Sequence, residues 1–595
     1  MLGVMTNEEP PSAKELIGRL PFPLGVACLA ALCGLFMSTL PYVAWYRAAH
    51  SSVWIADADE IDYTLIASHA YYWHPMYLSD PTFVKGGQSV YSWLQLVPGE
   101  LVCKEFDLRP IRFGLVLRIF GGLAVGFGWY AIVWQDVRRP WVAMAGAVFL
   151  LTDSGWLIMR PFVYQWATLA SVLLKRSSEI FAYNPSIHRE WRIVSPVVVL
   201  PFLFLYLSAL RRSVEKFSHA RVVCSGLAFG LLFLAYFYFW TAAGLALLLG
   251  VLVDRARWQT YFHTGWIGCL VGTPELARML LTRRVQGAEW MQRFDEFVPI
   301  PRLSEHGHFL LSAALVVITF VIIWFCFRRL LYLWCLCSAG FIMIHQQIFT
   351  GLQMENYHWA YLFCPCMILL LVLLTIDVME WMGARGRIAG GILVVAVVLN
   401  AAVGIYLRGL EAVRTKDSQR YSLGYQDYER QRGAPEYQPL VVGSVTAGIE
   451  DFVQFAMIVD HVTPLAAAYP VLVSPSVSDL DFDRRIAFNA YLSGTSREQF
   501  EAKETWELDH LHLGVELRDP VRRGARLASR LSFFDQIAAS PSVAIDHYQV
   551  RYVALPAGSP RPETLKSDWA LLQSGPTWEV WEHNSAASVP KSPNL

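Results

Sequence analysis

The chain is poor in charge, has no cysteine beyond residue 366 and offers no usable N-glycosylation triplet, and each shortage excludes something. Only 16% of its 595 residues are charged while 55% are hydrophobic, which excludes a disordered chain, a coiled coil or an ordinary soluble enzyme of this length. Most of the ten cysteines fall inside apolar runs. Cys335-x-Cys337 and Cys364-x-Cys366 have neither Cys-x-x-Cys spacing nor histidines at zinc-ligand intervals, so they read as small hydrophobes rather than metal ligands or disulfides. Asn184-Pro185-Ser186 is disqualified by its proline, which favours a bacterial periplasm over a glycosylating lumen. No basic stripe suggests nucleic acid, and no inverted repeat of the transporter kind is visible.

What is present is length in apolar runs. Mean hydropathy is +0.36. Windows long enough to cross a bilayer, or nearly so, lie at about 22–46, 111–134, 140–158, 194–210, 309–327, 330–348, 358–376 and 388–407. Residues 222–253 are too long for one span and have arginines on both flanks, which predicts two short helices turning at Phe239-Trp240-Thr241. Residues 258–276 add one more span. The run Pro21–Trp45 is too long for a signal-peptide core and reads as a retained anchor.

Eleven spans with a cytoplasmic N-terminus make every short inner loop basic: Arg138-Arg139, the Arg211 to Arg221 cluster, Arg255/Arg257, Arg328-Arg329 and Arg385/Arg387. Residues 1–408 hold 31 Lys+Arg against 25 Asp+Glu, and residues 409–595 hold 18 against 24, so a +6 membrane part precedes a −6 outer part. Residues 409–595 alternate strand-like and helix-like segments. Strands are expected at 440–443, 470–473, 551–555 and 577–582, and helices at 449–461 and near 525–539, giving a small extracytoplasmic α/β domain. The predicted fold is thus a polytopic α-helical membrane protein of about eleven spans with a C-terminal soluble α/β domain.

Four unusual segments fall on the outer face of this topology. In the first outer loop, 47–110, Asp57, Asp59, Glu60 and Asp62 crowd four carboxylates into six residues, which raises the pKa of at least one unless cations or arginines neutralise them. Aromatic stretches follow at His69–Pro75 and Tyr91–Leu94, as expected for helices lying at a bilayer surface; the bland alternative is a solvated turn. The second segment, 159–195, carries Arg160, His188, Arg189 and Arg192, suited to an anionic headgroup through bidentate guanidinium contacts or, equally, to lipid anchoring. The third, 272–308, reads as a mixed-charge loop, a solvated connection more than a lid. The fourth, 345–359, is dense in polar groups (Gln346, Gln347, Glu355, His358) that are costly at membrane depth unless they line a wet cavity or cap a hairpin.

This arrangement resembles the GT-C class of membrane glycosyltransferases, which includes the protein O-mannosyltransferases, the lipid A aminoarabinose transferases and the oligosaccharyltransferase catalytic subunits. The residues that carry it are Asp57, Asp59 and Glu60 ahead of the aromatic first loop. The C-terminal part lacks the Trp-Trp-Asp motif of the oligosaccharyltransferases. The resemblance implies a polyprenyl-phosphate-linked sugar as donor, a glycan, lipid or protein as acceptor, a catalytic role for Asp57, Asp59 or Glu60, and substrate contacts from Arg160, His188, Arg189, Arg192, Gln346, Gln347, Glu355 and His358. No organic cofactor is implied, and a divalent cation stays open. The implied location is a bacterial inner membrane with the C-terminal domain in the periplasm. Two rivals are a transporter or flippase of a lipid-linked glycan, which would place ionisable groups at mid-depth, and a non-catalytic component of polysaccharide assembly.

Overall fold

The computed structural model describes residues 22–72, 92–174, 191–286, 298–299, 302, 309–354, 357–466, 477–510, 520–559, 561–565 and 567–584. Each expected apolar window holds a helix: α1 Leu24–Ala49, α4 Phe113–Val137, α5 Pro140–Thr152, α7 Leu200–Glu215, α8 His219–Ala235, α9 Phe237–Val253, α10 Trp258–Gln286, α11 Phe309–Cys326, α12 Leu331–Ile344, α13 Tyr357–Trp381 and α14 Ala384–Arg414. Three shorter helices lie between them at one end of the bundle: α2 Ala58–Tyr72, α3 Trp93–Glu105 and α6 Val163–Leu173. Among the described residues, five helical stretches are long and apolar enough to cross a membrane unaided, namely Leu24–Ala49, Pro110–Val137, Pro196–Glu215, Tyr357–Trp381 and Ala384–Arg414. Phe237–Val253 and Arg255–Leu281 meet that test only together, bent by 106°. The chain is an integral membrane protein, and Pro140–Thr152, His219–Ala235 and Leu310–Cys326 are shorter apolar helices.

Within the bundle, two expected boundaries move. The break between the paired helices falls at Tyr236, whose extended backbone separates α8 from α9, so Phe239, Trp240 and Thr241 lie inside α9. Tyr236 is held there by a hydrogen bond to His358 Nδ1, and Trp240 stacks back on Phe233 at 4.3 Å. The helix expected to stop near residue 276 continues to Gln286 and carries Glu275 and Arg278 as an i,i+3 pair at 2.6 Å, so the third segment is helical in its first half.

Close packing at the centre depends on missing side chains. A Cβ on Gly34 of α1 would lie 2.2 Å from the Gly122 carbonyl oxygen of α4, so the two backbones approach as only glycine allows. Ser38 seals the crossing by donating to the Arg118 carbonyl at 2.7 Å. Ionic contacts among the described residues sort to the bundle ends. At one end Asp136 faces Arg211 (3.1 Å) and Arg329 (3.6 Å); at the other lie Glu60–Arg118 and Arg408–Glu411 (2.8 Å).

Helix α14 runs through the expected boundary at 408/409 to Arg414, and α15 Lys416–Arg432 begins after one extended residue. Beyond it lie α16 Glu450–Asp460, α17 Asp479–Leu492, α18 Arg497–His510, α19 Pro520–Ala539 and α20 Pro541–Tyr548. The sheet contains β3 Val445–Gly448, β4 Thr463–Pro464, β5 Val550–Pro556, β6 Trp569–Ser574 and β7 Trp578–His583 in the order β4-β3-β5-β7-β6. Its first three strands in that order are parallel and the last two pair antiparallel. The strand expected at 440–443 forms instead at 445–448, and 470–473 lies outside the described residues. Alternation divides the sheet's faces: Tyr552 and Ala554 join the cluster with α15 and α16, while Val553 and Leu555 join the cluster with α17 and α19. The first of these clusters also includes Ile55, Ile61, Leu65 and Ile111, so the C-terminal domain packs directly on the first loop.

Candidate active site

The chain leaving α1 builds the site. His50, at φ +52°, ends the helix by donating its N–H to the Tyr46 carbonyl at 2.9 Å. The next segment is pinned to α15: Trp54 Nε1 donates to Ser418 Oγ at 2.6 Å, and the Ile55 N–H donates to Ser422 Oγ at 2.9 Å. Asp57 then caps α2, its Oδ1 accepting the Glu60 N–H at 3.1 Å. Asp59 and Glu60 therefore sit in a helix first turn, where the unpaired N–H groups and the dipole favour negative charge.

The three acids differ in what they face. Glu60 is buried, and both of its oxygens are taken by Arg118, at 2.5 and 2.9 Å, with the Ala56 N–H adding a third bond at 2.8 Å. Arg118 in turn lies 4.7 Å from the Trp54 ring centroid. This bidentate pair anchors α2 to α4, and Tyr42 Oη lies 3.5 Å from Oε1 on the remaining side. Asp59 is 40% exposed and forms an ion pair with Arg192. Asp57 is half-buried. Burial first, then the neighbouring Asp59, push its carboxyl up to about 7, with Arg192 opposing. Burial and then Asp59, Glu450 and Asp57 push Asp62 well above the usual carboxylate range.

Arg192 links the acids to the rest of the site. It precedes a π-helical turn, Ile193–Val198, that contains Pro196. Burial disfavours its charge, but Asp59, Tyr63, Tyr361 and Asp57 outweigh that effect and hold it cationic. Its Nη1 donates to Tyr361 Oη at 3.4 Å, and its buried Nε has no hydrogen-bond partner among the described residues. Tyr361 stands one turn from His358 on α13, their rings 5.8 Å apart. His358 is buried, stacked on Tyr238 at 4.5 Å and bonded to Tyr236. Asp59, Arg192, Tyr361 and His358 thus form one continuous chain of contacts at the bundle end.

Other expected residues stand differently. Arg160 is exposed on a turn whose Met159 and Phe162 have φ of +56° and +61°. Asp153 holds that turn by accepting the Gly155 and Phe162 N–H groups, both at 2.8 Å. Gln346 uses both ends of its amide within its own loop, donating to the Leu352 carbonyl (3.0 Å) and accepting from Thr350 Oγ1 (2.6 Å). Gln347 is buried in a single helical turn ending at Gly351. That loop pairs β2 Leu352–Gln353 with β1 Val298–Pro299. His188, Arg189 and Glu355 lie outside the described residues. No group of three or more His, Cys, Asp or Glu is placed to hold a metal ion among the described residues.

Several residues of the site carry no sequence motif. Arg118, a cation well inside an apolar window, is the signal that could have been read, because an intramembrane charge needs a partner. Tyr361, Tyr236 and Ser422 gave none. Glu100 of α3 is 1% exposed, neither of its oxygens has a partner among the described residues, and burial pushes its carboxyl well up.

Among solved structures the chain is similar to the crystal structure of ArnT from Cupriavidus metallidurans bound to undecaprenyl phosphate. The match has a TM-score of 0.50 and 11% identity, and it covers 96% of this chain and 100% of that one. At this identity the likeness is one of fold, and it spans both the helical bundle and the C-terminal domain. No protein-family model and no curated protein matches the sequence.

Proposed function

We propose that the protein is a membrane glycosyltransferase that moves a sugar from a polyprenyl-phosphate-linked donor to an acceptor hydroxyl at the outer face. The observation that carries this reading is the pairing of two unlike carboxylates: Asp57, whose proton is balanced near neutrality, and Asp59, tied to Arg192. A base titrating near the working pH is suited to taking a hydroxyl proton. A cation beside it is suited to a phosphate leaving group. The fold adds support, since ArnT shares it and was crystallised with undecaprenyl phosphate.

In the proposed reaction the acceptor oxygen attacks the anomeric carbon from the side opposite the lipid phosphate. Asp57 takes the hydroxyl proton as the new carbon–oxygen bond forms. The bond from the anomeric carbon to the phosphate oxygen breaks, and its electron pair leaves on polyprenyl phosphate, an inversion at carbon. Arg192 stabilises the departing charge, with Tyr361 and His358 shaping the wall behind it. Asp59 orients Arg192. Glu60 holds the turn through Arg118 and does not touch substrate. Ion pairs at the bundle ends, rather than at mid-depth, favour this reading over a transporter.

The test is a panel of polyprenyl-phosphate-linked sugars carrying a radiolabel, offered with glycan, lipid and protein acceptors to purified protein in vesicles. Release of polyprenyl phosphate coupled to labelled acceptor is expected, lowered about a hundred- to ten-thousandfold by Asp57→Asn. Full activity of Asp57→Asn would overturn the assignment of the base, and failure to bind undecaprenyl phosphate would overturn the donor class.

A further inference from the structure

Away from this site, helices α5, α13 and α14 splay to leave a groove of about 870 Å³, within the volume range of small-molecule sites. Its walls are apolar over most of their length, from Phe149 and Phe162 at one end through α13 and α14. Charge appears only at the other end, where Arg139, Glu380 and Arg387 form the mouth. Helix α13 runs from His358 at the candidate active site to Glu380 at this mouth, about 33 Å at 1.5 Å per residue. The mouth therefore lies at the opposite end of the bundle, near the far face of a hydrocarbon core roughly 30 Å thick.

The electrostatics of the mouth select an occupant. Arg139 is 59% exposed and meets Glu380 at 3.5 Å, a loose pair. Arg385 and Arg387 are exposed and make no ion pair among the described residues. The mouth thus carries a net positive charge beside an apolar slot on the outside of the bundle. We propose that this groove binds an anionic phospholipid of the leaflet opposite the active site, one acyl chain lying in the slot and the phosphate bridging Arg139 and Arg387. The site is separate from the transfer chemistry and does not depend on it. Guanidinium pairs suit phosphate oxygens, and basic residues near an anionic headgroup each add attraction of the order that makes the choice between lipids selective.

Gly391 supplies a clean probe, because an added Cβ there meets no atom within 4 Å. Gly391→Leu fills the slot while keeping α14 helical. The full-length protein, reconstituted in vesicles of equal phosphatidylglycerol and phosphatidylethanolamine, is extracted gently and its retained lipids are counted by native mass spectrometry. Wild type is expected to retain phosphatidylglycerol over phosphatidylethanolamine by roughly tenfold. The Arg139→Gln/Arg387→Gln double variant should bring that preference to about one, and Gly391→Leu should remove the retained lipid without loss of folded protein. Retention of both lipids in the vesicle ratio by wild type overturns the proposal. So does loss of a dimer, rather than of lipid, in Gly391→Leu, which would make the groove a contact between copies. Displacement of the lipid by added undecaprenyl phosphate, sensitive to Arg160→Ala and not to the double variant, would assign the groove to the donor instead and also overturn it.

Discussion

Asp57 and Glu60 are three residues apart and do opposite things, because one faces an arginine squarely and the other does not. Glu60 has Arg118 on both oxygens, and the arginine is only 1% exposed. Glu60→Gln leaves that arginine buried without its counter-charge, a change costing about 3–5 kcal/mol. The expected result is a large fall in thermal stability and in yield, measured by unfolding in detergent, with lost activity only as a consequence. Asp57 behaves in the reverse sense. Its folded pKa of about 7 stands above the ordinary value of about 3.9, so the folded state binds the proton more tightly and stability falls as pH rises between those values. Asp57→Asn should therefore raise Tm relative to wild type above about pH 7, with the difference closing below about pH 4. The crowding of Asp57, Asp59, Glu60 and Asp62 was legible in the sequence, together with the inference that at least one pKa rises unless cations neutralise the cluster. Which acid it would be was not, because that depends on Arg118 and Arg192, at 58 and 133 residues from Glu60 and Asp59.

At the scale of elements, α15 has a task that composition does not show. Its Ser418 and Ser422 hydroxyls, spaced one turn apart, hold Trp54 and the Ile55 backbone, and so set where Asp57 caps α2. Ser422→Ala removes a bond worth about 1 kcal/mol. Because it acts on placement, kcat should fall several-fold with KM little changed, and Ser422→Thr should restore it; a fall in Tm with unchanged kcat would mark the contact as merely structural. Apolar periodicity was enough to find the bundle helices, since length and hydropathy are local properties. The break at Tyr236 was displaced by three residues because a tertiary bond to His358 outweighs local preference. The turn Met159–Phe162 was equally hidden, its backbone fixed by Asp153 rather than by glycine.

Over the whole molecule, the charge asymmetry read from composition corresponds to a physical division. The −6 part folds as a separate sheet domain, yet its α15 and α16 share one apolar cluster with Ile55, Ile61, Leu65 and Ile111 of the first loop. Removing everything after Arg414 would expose those side chains to water. Burying a side chain of this kind contributes about 1.5–3 kcal/mol, so the truncated protein should insert into membranes but show a protease-sensitive first loop and no transfer. If Asp57 is the base, its titration sets the acid limb of the kcat/KM profile. With a sugar-linked polyprenyl phosphate as donor, wild type should show an acid limb with a midpoint near pH 7, and the residual activity of Asp57→Asn should lack it. A profile flat from about pH 5 to 8 in wild type, or the same limb surviving in Asp57→Asn, would remove Asp57 from that role.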